Sequence, residues 1–418
     1  MRIEVQGRHP LRGSYQVSGS SNAAMTLIAA SMLTTDPVTL HHMPDTLSVA
    51  TMLRVGESLG MTLQREGDLT LQTPGDIGRS LEREHTDVLS GTLLFLGPIL
   101  ARRHYARVAI DYAISRLHPH LTALRDLGIG VTVDRGVINL EANAWDSAEI
   151  VLVQTSVTAT ALVAMLAAVL GQQTVVHNAA SEPQITDLLN ILHDMGAPIE
   201  GIGSNQLTIR GVAKLHGAQA SVSPDHVEAA SVGAIAAITG GRLTIEGVQR
   251  RDLRLIVKVY ERLGLRLSLD EDALIVPTHE RFELSAREED VDVSIESAPW
   301  PGFPSDLIAM ATVVATQGRG SVLIHEKLFN NRLLFVDRLN GMGAQIVLCD
   351  PHRAIVVGPS LLAGEYVDNP DVRTGLAMLG AALCASGTTV IDNAETFDRN
   401  FDHVIDKLIA LGANIKRP

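Results

Sequence analysis

Six segments of the chain share one pattern of apolar and polar positions. Each contains a helix-like stretch with one polar face, which ends in an apolar residue and Gly and is followed by alternating apolar residues. The apolar–Gly pairs are Leu59-Gly60, Leu127-Gly128, Met195-Gly196, Leu263-Gly264, Met342-Gly343 and Leu411-Gly412, with glycines 68, 68, 68, 79 and 69 residues apart. Such a Gly is typical of a helix C-terminus that turns left-handed before a strand. The near-constant interval predicts six structural repeats.

The order of elements within a repeat is clearest in the last one. VRTGLAMLGAALCASG indicates a helix of small residues, TTVIDN a strand, FDRNFDHVIDKLIALG an amphipathic helix and ANI another strand. The first repeat follows the same order and closes with two strands around REGD. We therefore predict an α/β fold of βαβαββ units. The first helix of each unit is apolar on all sides and should be buried, whereas the second should lie outside.

Six units of this size exceed what one hydrophobic core normally holds, which favours two domains of three repeats each. The single longer interval places an insertion of 11 residues between Leu267 and Pro304. This stretch is acidic and rich in proline, so we expect a loop there.

Composition and charge exclude several classes of protein. The chain of 418 residues is 46% apolar and 19% charged, which excludes a disordered scaffold. Its 34 basic and 47 acidic residues give a net charge of −13, which argues against nucleic-acid and membrane partners. Cys349 and Cys384 cannot form a disulfide framework or a four-ligand zinc site. No apolar stretch is long enough to cross a bilayer, and we expect a soluble, cytoplasmic protein.

The starts of the predicted buried helices are polar. In a pseudo-symmetric arrangement these N-termini would emerge on one side of each domain and attract anions. Helix capping alone is the simpler alternative for each position. The starts are Ser20-Ser21-Asn22, Thr86-Asp87, Thr155-Ser156, Asp225, Ser305-Asp306 and Asp371.

Three arginines of the C-terminal repeats, Arg332, Arg373 and Arg399, lie close in sequence to acidic residues. Arginine binds phosphate and carboxylate through two hydrogen bonds, so the three could hold a small polyanion. The alternative is surface ion pairing, for example of Arg399 with Asp398.

The chain resembles the enolpyruvyl (carboxyvinyl) transferase family over its whole length. The resemblance is carried by VSGSSNAAM, TSVTATALVAML, NAASEPQITDLLNIL, VSPDHVEA, APWPGFPSDLIA, LFNNRLLFVDRLNGMGA and FDRNFDHVIDKLIALGANI. It implies two inside-out α/β barrel domains of three repeats each, residues 20–227 and residues 1–19 with 228–418. It also implies closure on a uridine nucleotide or UDP-sugar before phosphoenolpyruvate binds, without a cofactor or metal, in a monomer or weak homo-oligomer.

The resemblance also implies roles for individual residues. Asn22 and Asp306 would contact the acceptor sugar, with Asp306 the base that takes its hydroxyl proton, and Ser156 and Val157 would bind the uridine diphosphate. Arg332, Arg373, Arg399 and Asp371 would act at phosphoenolpyruvate and in closing the site. Further substrate-binding residues are expected at Ser21, Asp225, Glu228 and Leu328.

The chain departs from the family pattern in the N-terminal half. Ser21 and Ser90 stand where the family has Lys and Arg, and the mobile loop is about four residues shorter, reading DYAISRLHPHL without a Cys. Arg116 lies one place from the expected loop arginine. His118 and His120 could supply the missing acid, or could simply lie in a solvated loop. A metal site from this His-x-His pair lacks an evident third ligand.

Three functional interpretations follow. The first is a divergent transferase that moves a carboxyvinyl group from phosphoenolpyruvate to a hydroxyl of a UDP-sugar or uridine nucleotide. The second is a nucleotide-sugar-binding paralogue that no longer uses phosphoenolpyruvate. The third is an enzyme like the RNA 3′-phosphate cyclases, which share this repeat, but the chain has neither their nucleophilic His motif nor a basic groove.

Overall fold

The computed structural model describes residues 1–86, 89–280, 282–284, 293–368 and 374–417. The chain divides into two compact units: an N-terminal unit, Gly19–Ser223, and a C-terminal unit, Met1–Ser18 with Pro224–Pro418. The chain passes from one unit to the other twice, after Ser18 and after Ser223. The expected domain limits lie one and four residues from these points.

The elements in chain order begin with two strands of the C-terminal unit, β1 (Ile3–Gln6) and β2 (Arg12–Gln16). The N-terminal unit contains α1 (Ser21–Ser31), β3 (Val38–His41), α2 (Leu47–Ser58), β4 (Thr62–Glu66), β5 (Asp68–Gln72), β6 (Ser80–Leu81), α3 (Arg83–Thr86), α4 (Leu96–Arg103), β7 (Tyr105–Ala109), α5 (His118–Asp126), β8 (Gly130–Asp134), β9 (Val137–Glu141), β10 (Trp145–Val151), α6 (Val157–Leu170), β11 (Gly171–His177), α7 (Pro183–Asp194), β12 (Ile199–Glu200), β13 (Gln206–Ile209) and β14 (Gln219–Ser221). Two 3₁₀ turns, Ser90–Phe95 and Ile114–Leu117, precede α4 and α5.

The C-terminal unit continues with α8 (His226–Ile238), β15 (Arg242–Glu246), α9 (Arg250–Arg262), β16 (Ser268–Leu269), β17 (Ala273–Val276), β18 (Ser294–Glu296), α10 (Ile308–Gln317), β19 (Gly320–His325), α11 (Val336–Gly341), β20 (Gln345–Asp350), β21 (Arg353–Gly358), β22 (Tyr366–Val367), α12 (Gly375–Cys384), β23 (Thr388–Ile391), α13 (Phe397–Asn400), α14 (Val404–Ala410) and β24 (Asn414–Lys416). The 3₁₀ turn Ser305–Leu307 leads into α10, and a second, Ala394–Thr396, leads into α13.

Each repeat forms a four-stranded sheet in which two parallel strands flank the buried helix and two antiparallel strands complete the edge. Within the described residues the sheets of the N-terminal unit have the orders β14-β3-β5-β4, β6-β7-β9-β8 and β10-β11-β13-β12, and those of the C-terminal unit β16-β17-β15-β2, β18-β19-β21-β20 and β22-β23-β1-β24. The α/β class and the βαβαββ order predicted from the sequence are confirmed.

Three of the sheets contain a strand that is distant in sequence. β14 pairs in parallel with β3, β2 pairs in parallel with β15, and β1 lies between β23 and β24. The first repeat therefore obtains its first strand from the end of its unit, and the last repeat is closed by the N-terminus.

The six repeat glycines have the backbone conformation that their position predicts. Gly60, Gly128, Gly196, Gly264, Gly343 and Gly412 all have positive φ, between +81° and +111°. Glycine adopts a positive φ at little energetic cost because it has no Cβ atom. The repeats were therefore correctly located.

The first helices are buried and the second helices have one polar face. Every residue of α6 from Ala159 to Ala168 is buried, whereas α9 buries one side and exposes a row of charged residues. Small side chains allow such a helix to pack closely: a Cβ at Gly380 of α12 would lie 3.1 Å from the side chain of Ile235 of α8. No helix among the described residues has both the length and the apolar character needed to cross a membrane.

The expected loop between Leu267 and Pro304 is only partly a loop. It contains β16, β17 and β18, and the four apolar residues of β17 pair with β15 in an antiparallel register. Residues 281 and 285–292 of this stretch lie outside the described residues.

Candidate functional site

Two predicted helix starts carry side-chain caps. Asp225 accepts hydrogen bonds from the backbone N–H of Val227 (2.9 Å) and Glu228 (3.0 Å) at the start of α8. Ser156 accepts one from the N–H of Ala159 (3.3 Å) at the start of α6. Both caps satisfy donors that a helix N-terminus would otherwise leave unpaired. Val157, the first residue of α6, is half-buried.

The start of α1 differs from the expected substrate-facing arrangement. The hydroxyl of Ser21 lies 3.0 Å from that of Thr46, and Ser21 is only 2% exposed. Asn22, the next residue, is exposed. Ser21, which stands where the family has lysine, is therefore buried within the N-terminal unit. Asn22 is the polar side chain that α1 presents to solvent.

The predicted helix start at Thr86-Asp87 is wrong. Thr86 ends the short helix α3 and donates its hydroxyl hydrogen bond to the carbonyl of Ala109 (2.7 Å). The buried helix of this repeat begins later, with the 3₁₀ turn at Ser90, and becomes α-helical at Leu96. Pro98 suits this first α-helical turn because it has no N–H to donate. Ser90 is exposed, and Asp87 lies outside the described residues.

The short loop separates its two histidines. Arg116, in the turn Ile114–Leu117, and His118, at the start of α5, are exposed. The ring of His120 instead lies among apolar side chains that include Leu93, Leu117 and Leu162. Burial lowers the pKa of His120, which favours the neutral ring. Of the two histidines, His118 is the one exposed to solvent.

The C-terminal unit contains a well-defined polar cluster where α10 begins. Nη1 of Arg332 lies 2.9 Å from Oδ1 of Asp306 and 2.7 Å from the hydroxyl of Ser305. The guanidinium also stacks on the ring of Phe329, 4.1 Å from its centroid. The Arg332 side chain is 14% exposed and that of Asp306 is 48% exposed. A carboxylate that solvent can reach is thus held by a largely buried cation.

A buried residue that the sequence does not predict, Glu326, is hydrogen-bonded to this cluster through Ser305. Glu326, 0% exposed, accepts hydrogen bonds from the hydroxyls of Ser297 (2.9 Å) and Ser305 (2.5 Å). It also accepts from the N–H groups of Leu328 (2.8 Å) and Phe329 (3.1 Å). The sequence gives no signal for it, because a Glu after a strand normally lies in solvent.

Glu228, expected to bind substrate, is buried within the C-terminal unit at 1% exposure. Its Oε1 accepts a hydrogen bond from the hydroxyl of Tyr15 (2.6 Å) and lies 3.5 Å from Nζ of Lys407, which also donates to Ser18. Burial raises the pKa of Glu228 to about 7, although Lys407 opposes the rise. Burial also raises the pKa of Tyr15. This position favours a role inside the unit rather than direct contact with a ligand.

The other predicted site residues are distributed as follows. Leu328 lies in the segment after β19, where Glu326 binds its N–H. Arg399 is half-buried in α13. Asp371 and Arg373 lie outside the described residues. Within the described ranges, no group of three His, Cys, Asp or Glu side chains could hold a metal ion.

Comparison with known proteins gives full-length matches. A family model described as EPSP synthase (3-phosphoshikimate 1-carboxyvinyltransferase) matches residues 5–408. A UDP-N-acetylglucosamine 1-carboxyvinyltransferase of Treponema denticola is 39% identical over 426 residues, which cover 99% of this chain and 98% of the relative. Proteins of the same name from Treponema pallidum and Bradyrhizobium diazoefficiens are each 40% identical, over 98% and 99% of this chain and 98% and 97% of the relatives.

Solved structures agree on the fold. The enolpyruvyl transferase NikO from Streptomyces tendae has a TM-score of 0.89 at 21% sequence identity, covering 99% of this chain and 98% of that chain. EPSP synthase from Acinetobacter baumannii has a TM-score of 0.73 at 16% identity, covering 99% of both chains. At these identities the likeness concerns the fold alone.

Proposed function

The chain belongs to the EPSP synthase family, and on this basis we propose that it transfers a carboxyvinyl group from phosphoenolpyruvate to a hydroxyl of a UDP-sugar or related uridine nucleotide. The observation that carries the proposal is the cluster at the start of α10, where Arg332 holds Asp306. It combines an accessible proton acceptor with a fixed positive charge, which this reaction needs.

The reaction is an addition followed by an elimination. The acceptor oxygen bonds to C2 of phosphoenolpyruvate while a proton is added to C3, which gives a tetrahedral adduct. The bond from C2 to the phosphate oxygen then breaks and C3 gives up a proton. The products are an enol ether of the acceptor and inorganic phosphate, which leaves with the proton of the acceptor hydroxyl.

Asp306 is the proposed base for the acceptor hydroxyl. Arg332 donates a hydrogen bond to Oδ1 of Asp306. Oδ2 has no hydrogen-bond partner in the described part of the chain, so it is available to take the proton. Arg332, Arg373 and Arg399 are the proposed cations for the carboxylate and phosphate of phosphoenolpyruvate, and Asp371 is a proposed active-site carboxylate. Fixed donors of this kind stabilise charge that develops in the transition state.

The proposed acceptor is inferred from relatives that are 39–40% identical over nearly the full chain and are named for UDP-N-acetylglucosamine. Ser156 and Val157, at the start of α6, and exposed Asn22 are the residues that we assign to it. Leu328 is a further proposed substrate-binding residue. Arg116 and His118 are exposed. Arg116 is the proposed counterpart of the family's loop arginine, and His118 is the proposed replacement for the missing loop acid. A cytoplasmic location and a monomeric or weakly associated state remain predictions.

Two observations favour a second candidate. Ser21 is buried against Thr46, so no cation stands at this position, and the loop contains no Cys. A protein that binds uridine nucleotides without using phosphoenolpyruvate would tolerate both changes. The two candidates differ in whether phosphoenolpyruvate binds and is consumed.

Phosphate release tests the proposal. The protein is incubated with phosphoenolpyruvate and, in turn, UDP-N-acetylglucosamine, UDP-glucose, UMP and uridine. We expect release with at least one acceptor and none without an acceptor, while silence across the panel would reject the proposal. Thermal shift then distinguishes the second candidate, for which uridine ligands raise Tm and added phosphoenolpyruvate contributes nothing.

A further inference from the structure

Glu326 is a buried carboxylate whose oxygens are both engaged. Oε1 accepts from Ser297 Oγ and from the N–H groups of Leu328 and Phe329, and Oε2 accepts from Ser305 Oγ. Four donors around one carboxylate compensate for its removal from water. So many hydrogen bonds restrict the carboxylate to one orientation.

The backbone of Glu326 is also fixed. Its N–H donates to the carbonyl of His352 (2.8 Å), and its own carbonyl lies 2.7 Å from Nδ1 of His352. His352 lies in the turn that joins β20 and β21. Glu326 is therefore anchored to a neighbouring strand pair rather than to the segment that it holds.

Ser305 transmits this orientation to Arg332. The Glu326 carboxylate can only accept a hydrogen bond and the guanidinium can only donate one. The Ser305 hydroxyl must therefore donate to Glu326 (2.5 Å) and accept from Nη1 of Arg332 (2.7 Å). The same Nη1 reaches Asp306. A directed chain of hydrogen bonds thus runs from Glu326 through Ser305 and Arg332 to Asp306.

This arrangement belongs to one repeat. In the other five repeats the residue that follows the corresponding strand is His42, Ile110, Asn178, Gly247 or Asp392, and none of these named residues is a buried acid. Asp392 is partly exposed and pairs with Arg2 at the surface. The repeat architecture by itself therefore does not require a carboxylate at this place, whereas the repeat that carries Asp306 has one.

We propose that Glu326 is a positioning residue for carboxyvinyl transfer. It orients Arg332 and Asp306 through the Ser305 hydroxyl, and it holds the segment after β19 through the N–H groups of Leu328 and Phe329. Glu326 itself does not touch the reacting atoms. The inference rests on the proposed function, because it assigns Asp306 the role of base.

A chemical probe tests the positioning independently of turnover. Phenylglyoxal modifies arginine side chains, and mass spectrometry of peptides gives the rate at each arginine. In Ser305→Ala and Glu326→Gln we expect Arg332 to react several-fold faster than in the unmodified chain, because it loses a fixed partner. Exposed Arg353 serves as the internal reference and should react at the same rate in every variant.

Kinetics test the consequence for the reaction. In Glu326→Gln the amide oxygen still accepts from Leu328 and Phe329, but the amide nitrogen cannot accept from Ser305. We therefore expect kcat to fall about tenfold to a hundredfold, the range for losing a hydrogen bond to a charged group, with acceptor KM within about twofold. Ser305→Ala should give a similar loss, and the double variant should lose no more than either single one. Glu271→Gln, an exposed change of the same charge in the same unit, is the matched control.

Unchanged Arg332 reactivity in folded Ser305→Ala would overturn the proposal whether or not Glu326→Gln folds. Additive losses in the double variant, or a loss confined to acceptor KM, would overturn it as well. If no acceptor supports turnover in the unmodified chain, the proposed function fails, but the phenylglyoxal rates still decide whether Glu326 positions Arg332.

Discussion

Nη1 of Arg332 lies 2.9 Å from Oδ1 of Asp306, and the two residues are 26 positions apart in the chain. Asp306 is in the 3₁₀ turn that leads into α10, whereas Arg332 is in the segment between β19 and α11. The fold of a single repeat thus brings an accessible carboxylate and a nearly buried cation together.

Replacing Asp306 with Asn should reduce turnover by about 10² to 10⁴, the usual contribution of a general base. The amide retains the shape of the side chain and an oxygen for Arg332 but cannot take the hydroxyl proton. Stopped assays of phosphate release measure kcat. Asp337→Asn, an exposed change in α11 of the same unit, should leave kcat unchanged, and equal rates for both variants would remove Asp306 from the role of base.

The raised pKa of Glu228 predicts that the stability of the protein depends on pH. Its pKa is raised from 4.5 to about 7 in the folded chain because it is buried. The folded state therefore holds this proton more tightly than the unfolded state. The contribution to stability is complete below about pH 4.5 and is lost as the pH rises to about 7. The loss amounts to about 3 kcal/mol, from the size of the pKa difference.

Glu228→Gln removes this titration while retaining a partner for Tyr15. Relative to the unmodified chain, the variant should gain about 3 kcal/mol in free energy of unfolding between pH 4 and pH 8. Urea unfolding at several pH values measures the difference. A constant difference between the two proteins across that range would show that the carboxyl does not titrate as described.

Two glycines near the end of α11 should respond in opposite directions to alanine. Gly343 has φ of +99° and a Cβ there would lie 3.3 Å from the carbonyl of Leu361, so Gly343→Ala should destabilise the protein by about 1–2 kcal/mol. Gly341 is helical with open space around it, so Gly341→Ala should stabilise by about 0.5–1 kcal/mol. Denaturant unfolding checks both, and shifts of the same sign would contradict the assigned helix end.

The two cysteines should differ in reactivity. Cys349 is exposed, whereas burial raises the pKa of Cys384 to about 12, and its thiol donates to the carbonyl of Ala381 (3.3 Å). Because the thiolate is the nucleophile, iodoacetamide at pH 8 should label only Cys349 in the folded chain and both cysteines after unfolding. Two labels at equal rates in the folded protein would contradict this account.

The loop at residues 111–121 contains no Cys. The epoxide antibiotic that alkylates the loop Cys of the family should therefore leave these residues unmodified.

The sequence predicted features that local patterns determine. The Gly at each helix end, the small residues of the buried helices and the caps Ser156 and Asp225 each depend on neighbours within a few positions. The exception was the second repeat, where a 3₁₀ turn precedes the α-helix and Pro98 lies in the first α-helical turn.

Features that depend on distant parts of the chain could not be predicted in the same way. The resemblance suggested substrate contact for Glu228. In the structure, Oε1 of Glu228 instead accepts a hydrogen bond from the buried hydroxyl of Tyr15 in β2. His120 was expected in the loop, yet α5 turns its ring into an apolar cluster. Glu326 gave no signal because its two hydroxyl donors, Ser297 and Ser305, lie 29 and 21 residues away in the chain. Such residues become evident only when burial and partners are known.

The central claim is addition and elimination at phosphoenolpyruvate, and turnover in D₂O tests it most directly. Addition converts the C3 methylene into a methyl group that takes its new hydrogen from solvent, and elimination then removes one of three hydrogens. With phosphoenolpyruvate and UDP-N-acetylglucosamine, proton NMR and mass spectrometry should show deuterium in the vinyl group of the product. Asp306→Asn should form this product about 10² to 10⁴ times more slowly. An enol ether with undiminished vinyl protons, or no consumption of phosphoenolpyruvate with any uridine acceptor, would contradict the account.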